Sequence, residues 1–247
     1  MIPKIIHYCW FGGNPLPKLA ERCIESWKRY LPDYEIKEWN EQNFDVNMVA
    51  YTREAYQEKK YAYVSDYARL WILYQYGGIY FDTDVEVIRS MNDILERGPF
   101  MGCEKNASDL GRHPDVAMGL GMAVLPNDRL IADLLSSYNT LSFYAENKGR
   151  DKGIYKTIVS YTTNLLVTKG LQNVDGIQQV AGYTIYPKDY FNPLEHVNQL
   201  KITENTRTIH HYAGTWIGKK GKFKKRVIRM MGKRCYAIIL GIRGKNR

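Results

Sequence analysis

The chain has 247 residues, 45% hydrophobic and 13% aromatic side chains and a formal net charge of +9 at neutral pH, enough length and apolar content for one α/β domain with a full core. Residues 219–247 hold twelve Lys and Arg and no acid, which leaves 23 bases against 26 acids over residues 1–218, so a mildly acidic body carries a basic tail. No window approaches the roughly 20 apolar residues that span a bilayer, the opening Met1-Ile2-Pro3-Lys4 reads as the start of a strand rather than a cleavable signal, and no RNA-binding sheet motif, helix-turn-helix or zinc finger accompanies the tail, which argues against a nucleic-acid partner.

In chain order, Ile2–Tyr8 reads as a buried strand and Leu16–Tyr30 as a helix with Ala20, Cys23, Ile24 and Trp27 inward. Tyr34–Trp39 alternates as a second strand, and Asn40–Phe44 is polar loop. Tyr63–Tyr74 has an apolar stripe of Val64, Ala68, Trp71 and Ile72 and is predicted to be an amphipathic helix. Phe100–Glu104 and Gly119–Leu125 read as strands around a polar loop. Helices are predicted over Asp128–Tyr144 and Tyr155–Lys169, and strands over Ala181–Tyr186 and Thr206–His211. Strand–helix–strand alternation predicts βαβ units, whose ligands lie beyond the carboxyl ends of the strands. Cys9, Cys23, Cys103 and Cys235 are scattered without a Cys-x-x-Cys spacing and read as reduced thiols, consistent with a cytosolic location.

Between the central helix and the third strand lies Tyr76-Gly77-Gly78-Ile79-Tyr80-Phe81-Asp82-Thr83-Asp84. The glycine pair turns the chain into a short buried strand, and Asp82 and Asp84 leave its end on one side. Such paired hard oxygens suit Mg²⁺ or Mn²⁺ shared with a diphosphate. On the preceding helix, Asp66 and Arg69 stand three residues apart. Spacing alone leaves two readings open: a surface ion pair worth a few tenths of a kcal/mol, or an acceptor and a forked donor that grip one ligand.

The string Ser65-Asp66-x-x-Arg69, continuing through Leu73-Tyr74-x-x-Gly77-Gly78-Ile79-Tyr80-x-Asp82-x-Asp84, resembles the signature of the DXD-motif glycosyltransferase family, which includes capsular-polysaccharide transferases and α-1,6-mannosyltransferases. Ile2-Pro3-Lys4-Ile5-Ile6-His7-Tyr8-Cys9-Trp10-Phe11-Gly12 is similar to the family's first strand, and His211-Tyr212-Ala213-Gly214-Thr215-Trp216 to its C-terminal element. The resemblance implies a GT-A type α/β domain over residues 1–218, a Rossmann-like mixed sheet flanked by helices. It also implies Asp66, Arg69, Asp82 and Asp84 as the catalytic set. Asp84 would be the direct metal ligand, with Asp82 on the metal, ribose or donor sugar and His211 as the additional ligand, since alternation lets only one of His210 and His211 face the cleft.

The donor implied is a nucleoside-diphosphate sugar, UDP-hexose ahead of GDP-mannose. Trp10 either stacks on its base or is a core residue, while Trp216 and Lys219 are candidates for a flap over the diphosphate. The resemblance further implies retention of configuration, which needs no dedicated general base; Glu104, Asp109 and Asp115 leave inversion open. Rival readings are a sugar-nucleotide pyrophosphorylase, for which Phe11-Gly12-Gly13-Asn14-Pro15 is a poor phosphate loop, and a non-catalytic carbohydrate or membrane module. The tail's apolar residues, Phe223, Val227, Met230 and Met231, recur at helical spacing beneath a basic face, so 219–247 is predicted to be an amphipathic helix. It lies on an anionic membrane, at the inner face where a lipid-linked glycan acceptor would be found, or it packs on the domain.

Overall fold

The computed structural model describes residues 1–147, 157–196 and 199–214. The chain begins with β1 (Ile5–Cys9), α1 (Lys18–Tyr30), β2 (Glu35–Trp39), α2 (Ala50–Gln57), α3 (Tyr61–Tyr76), β3 (Gly78–Tyr80) and β4 (Val85–Val87). It continues through α4 (Asn92–Leu95), β5 (Phe100–Lys105), α5 (Ala107–Leu110), β6 (Asp115–Val124), α6 (Arg129–Tyr138), α7 (Phe143–Asn147) and α8 (Ile158–Thr168). The described part closes with β7 (Gln178–Val180), β8 (Tyr183–Tyr186), α9 (Lys188–Phe191), β9 (Leu194–His196), β10 (Gln199–Leu200) and β11 (Thr208–His210). Residues 219–247, predicted to be a basic helix, lie outside the described residues.

Seven strands make one mixed sheet in the order β2-β1-β3-β6-β5-β8-β7. β1 runs parallel to both β2 and β3, as the βαβ reading predicts, whereas β6 is antiparallel to both β3 and β5. β4 and β11 form a separate antiparallel ribbon. The period-2 pattern of β3 is realised on the two faces of the sheet. Ile79 and Phe81 pack with Ile24 and Trp27 of α1, and Tyr80 packs with Ala68 and Leu73 of α3 in a second core.

α1 buries the four residues that its periodicity predicts. α3 departs from prediction: it lies between the sheet and α2 and α6, and it buries nine residues, Asp66 and Arg69 among them, while Trp71 is only half-buried. A helix covered on most sides needs no single apolar stripe. Its end is fixed by Gly77 and Gly78, which have φ of 62° and 93°, and a Cβ on Gly78 would sit 2.6 Å from the Ile5 carbonyl oxygen. Buried His7 holds this turn in place. Trp39 Nε1 donates to its Nδ1 at 3.1 Å, so Nε2 carries the proton and donates to the Gly77 carbonyl at 3.0 Å. Burial pushes the imidazole pKa down to about 4, and the ring is neutral.

The predicted helix Asp128–Tyr144 is two helices. Ser142 interrupts it and starts α7 by accepting the Ala145 amide on Oγ at 3.2 Å, which is N-cap chemistry. β6 begins at Asp115, inside the stretch predicted to be loop. Among the described residues no helix is long and apolar enough to cross a membrane, and Cys9, Cys23 and Cys103 are buried free thiols.

Candidate active site

A cavity of about 510 Å³ opens beyond the carboxyl ends of β1 and β3. β1 delivers Trp10 to its wall, α3 delivers Asp66 and Arg69, the turn after β3 delivers Asp82 and Asp84, and the chain around β11 delivers His210, Tyr212 and Gly214. The Asp82 amide donates to the Gly119 carbonyl of β6 at 3.0 Å, so the turn leaves the sheet tethered to its neighbour strand.

Arg69 is the centre of the charge network. Its Nη2 lies 3.1 Å from Asp66 Oδ1 and 3.2 Å from Asp82 Oδ1, its Nε donates to the Ser65 carbonyl at 3.3 Å, and the guanidinium stands over the Tyr80 ring at 4.8 Å. Asp66 and Arg69 are 7% and 5% exposed. The surface-pair reading is therefore replaced by a buried triad in which α3 grips the first aspartate of the Asp-x-Asp. Burial would favour a neutral Arg69, but Asp82 and Asp66 outweigh it and keep it charged. Burial also pushes the Asp66 carboxyl up to about 6 against the pull of Arg69, and its second oxygen accepts the Ile158 amide at 3.3 Å.

Gly119 makes room for this arrangement. A Cβ there would overlap Asp82 Oδ2 and stand 3.1 Å from Arg69 Nη1. The prediction of a strand over Gly119–Leu125 included this glycine without using it, although a strand-interior glycine signals close approach of another group.

Asp84 is held from the other side. Its Oδ1 lies 3.0 Å from His210 Nε2 and its Oδ2 accepts the Ala213 amide at 2.7 Å. Burial would raise the Asp84 pKa, yet the His210 contact and these hydrogen bonds hold it below the usual carboxylate range. The same contact outweighs burial at His210 and raises its pKa.

Only one of the adjacent histidines faces the cavity, as alternation predicts, but it is His210. In the β4–β11 ribbon His210 pairs with Val85, which sets its ring beside Asp84. His211 leaves on the other side, with Nε2 2.8 Å from Glu86 Oε2. The expectation that His211 joins Asp82 and Asp84 is corrected accordingly.

Asp82, Asp84 and His210 line one cavity, and two carboxylates with an imidazole are a donor set open to a divalent cation. Among the described residues no three acidic, histidine or cysteine side chains converge as a ready metal cage, because Asp82 turns to Arg69 and Asp84 to His210. Asp82, Asp84 and His210 are the side chains in this cavity that would hold a divalent cation. Trp10 lines the cavity half-buried, with Nε1 donating to the Asn14 carbonyl at 2.6 Å. Trp216 and Lys219 lie outside the described residues.

Residues 17–101 match the family model described as the glycosyltransferase sugar-binding region containing the DXD motif. Inositol phosphoceramide mannosyltransferase 1 of Schizosaccharomyces pombe is 28% identical over 111 residues, 40% of this chain and 33% of that protein. Inositol phosphoceramide mannosyltransferase 3 of the same yeast is 35% identical over 98 residues, 38% of this chain and 27% of that protein. The matches thus span about a third or less of these relatives' length. Among solved structures, the PaToxG glycosyltransferase superposes with a TM-score of 0.50 at 20% identity, covering 68% of this chain and 70% of that one. That is a likeness of fold, and the mixed sheet flanked by helices is a GT-A architecture. Asp66, Arg69, Asp82 and Asp84 all fall within the matched residues 17–101, so the four predicted site residues lie in the part of the chain that is similar to the glycosyltransferase sugar-binding region containing the DXD motif.

Proposed function

We propose that the chain transfers a hexose from a nucleoside-diphosphate sugar to a lipid-linked surface-polysaccharide acceptor, with a divalent cation and with retention of configuration. The observation that carries this reading is the meeting of the Asp82/Asp84 pair with the Asp66–Arg69 pair at the carboxyl edge of the sheet, in one cavity.

Asp82, Asp84 and His210 would hold a divalent cation, which when bound would supply Lewis-acid neutralisation of diphosphate charge. The chain's own groups do the rest. Asp66 and Arg69, rigid in α3, orient donor hydroxyls and phosphate, an orientation that lowers the barrier because it is set before reaction. Trp10 offers an aromatic wall for the base. Of the two donor classes, the relatives' designation as mannosyltransferases supports a mannosyl donor beside a UDP-hexose, and their designation for inositol phosphoceramide supports a lipid-borne acceptor. The basic stretch 219–247 fits peripheral attachment to the inner, anionic face of the cell membrane.

Hydrolysis of UDP- and GDP-hexoses, measured with Mn²⁺, with Mg²⁺ and with chelator, tests the core of the proposal. Turnover of one donor that falls at least a hundredfold in chelator and in Asp84→Ala supports it; full turnover by Asp84→Ala in chelator overturns it. Co-sedimentation of the full chain and of a truncation after residue 222 with anionic vesicles tests the attachment, which requires loss of binding on truncation.

A further inference from the structure

A second cavity, of about 450 Å³, adjoins the first. The two share Glu104, at the end of β5, and Tyr212. Its size falls within the roughly 300–1,000 Å³ of small-ligand pockets.

The lining of this cavity differs from that of the donor site. Lys188 is 8% exposed, with Nζ 3.4 Å from Asp109 Oδ2 and 4.0 Å from Glu195 Oε1. Asn192 is 4% exposed; its Nδ2 donates to the Glu104 carbonyl at 2.9 Å and to the Tyr212 hydroxyl at 2.8 Å. Its Oδ1 is buried and has no hydrogen-bond partner among the described residues. Buried amide oxygens in that state are uncommon, and a donor brought by a ligand is one way to satisfy them. The lining holds two bases, Lys105 and Lys188, against three acids, Glu104, Asp109 and Glu195, so the cavity has no surplus positive charge for a phosphate. Carboxylates, two lysines and an amide, spaced along a concave wall, together accept from and donate to hydroxyls.

We propose that this cavity is the acceptor subsite and takes a neutral saccharide, with Glu104 at the junction accepting a hydrogen bond from the hydroxyl that receives the transferred sugar. Asn192 positions that junction from behind through the Glu104 backbone and the Tyr212 hydroxyl. The lipid of the acceptor then lies outside the cavity and only its glycan enters. This proposal rests on the transferase reading above, and it locates the second substrate.

The test uses the full chain, with Leu194→Trp to fill the cavity and Glu104→Gln to alter the junction. Folding of both variants is checked by circular dichroism and melting. Saturation-transfer NMR with methyl glycosides of glucose, galactose and mannose reads binding without catalysis. At least one glycoside should give a signal that survives saturating UDP or GDP with Mn²⁺ and is lost in Leu194→Trp. In turnover, the ratio of transfer to donor hydrolysis should fall at least thirtyfold in Leu194→Trp. Glu104→Gln should raise the acceptor KM at least tenfold and the donor KM less than threefold. No glycoside signal with the wild type, a signal displaced by nucleotide, or an unchanged transfer-to-hydrolysis ratio overturns the subsite. Failure of the wild type to hydrolyse any donor while glycosides still bind counts against the transferase reading and leaves the saccharide cavity standing.

Discussion

Asp84 Oδ1 lies 3.0 Å from His210 Nε2 across 126 residues of chain, so the second aspartate of the Asp-x-Asp is braced by the last described strand. With Ala213 N–H on the other oxygen, the carboxylate has a fixed direction before any ligand arrives. A carboxylate that need not reorganise is better placed to receive a charge than one moving freely in solvent.

The two histidines should behave oppositely. His210→Ala removes the brace and the imidazole of the donor set, and is expected to raise the Mn²⁺ concentration for half-maximal donor hydrolysis at least tenfold. His211→Ala breaks only the contact with Glu86 and should shift it less than twofold. Metal titrations of the two variants decide between them, and equal effects would remove His210 from the ligand set.

Asp66 and Arg69 should report on stability and on activity together. Removing one member of a buried ion pair strands the other, which costs about 3–5 kcal/mol; Arg69→Met leaves both Asp66 and Asp82 without their cation. Urea unfolding should show losses of that order for Arg69→Met and for Asp66→Ala, with donor hydrolysis down at least a hundredfold in whatever folds. A double variant, Asp66→Leu with Arg69→Met, should regain part of the stability and none of the activity. Unaltered midpoints would mean that the triad is more hydrated than its burial indicates.

Gly119→Ala tests how tightly Asp82 is seated. The added methyl overlaps Asp82 Oδ2, so either the carboxylate turns or β6 moves, at about 1–3 kcal/mol for the overpacking. Titration calorimetry with the nucleoside diphosphate of the active donor and Mn²⁺ should show at least a tenfold loss of affinity. Wild-type affinity would mean that Asp82 has a second productive rotamer.

His7 gives a pH signature. Its pKa is about 4 in the fold, against an ordinary 6.5, so between these values the unfolded chain binds the extra proton. Its contribution to stability is complete above pH 6.5 and is lost as pH falls toward 4, by on the order of 3 kcal/mol in all. Unfolding midpoints from pH 7.5 to 4.5 should drop more steeply for the wild type than for His7→Gln; parallel curves would show that His7 is not the titrating group.

Period and spacing in the sequence carried much of the architecture. β1, α1, β2, α3 and β3 follow from apolar periodicity and from the Gly77-Gly78 turn, and the resemblance adds the Asp66, Arg69, Asp82, Asp84 grouping. The antiparallel insertion of β6 between β3 and β5 is not written locally, since pairing partners are chosen by tertiary packing. α2 escaped notice because it is short and lacks a side-chain cap. Alternation established that one histidine of the pair faces inward, but which one depends on the β4–β11 register, and that register is set by contacts more than a hundred residues away. The burial of Asp66 and Arg69 was hidden for a similar reason: charge and spacing look the same on a surface helix and on one covered by two neighbours.

Helix α3 is at once a beam of the core and a wall of the cavity. On the proposed function, replacements at positions 66 and 69 are therefore judged twice, once by whether the chain still folds and once by whether it still holds its donor. Change of sugar preference has a freer path elsewhere. Half-buried Trp10, in the turn after β1, and Tyr212, at the boundary of the two cavities, touch the same space from segments that bear less of the fold. Variants selected for a new donor or acceptor should accumulate around those two positions and leave α3 alone.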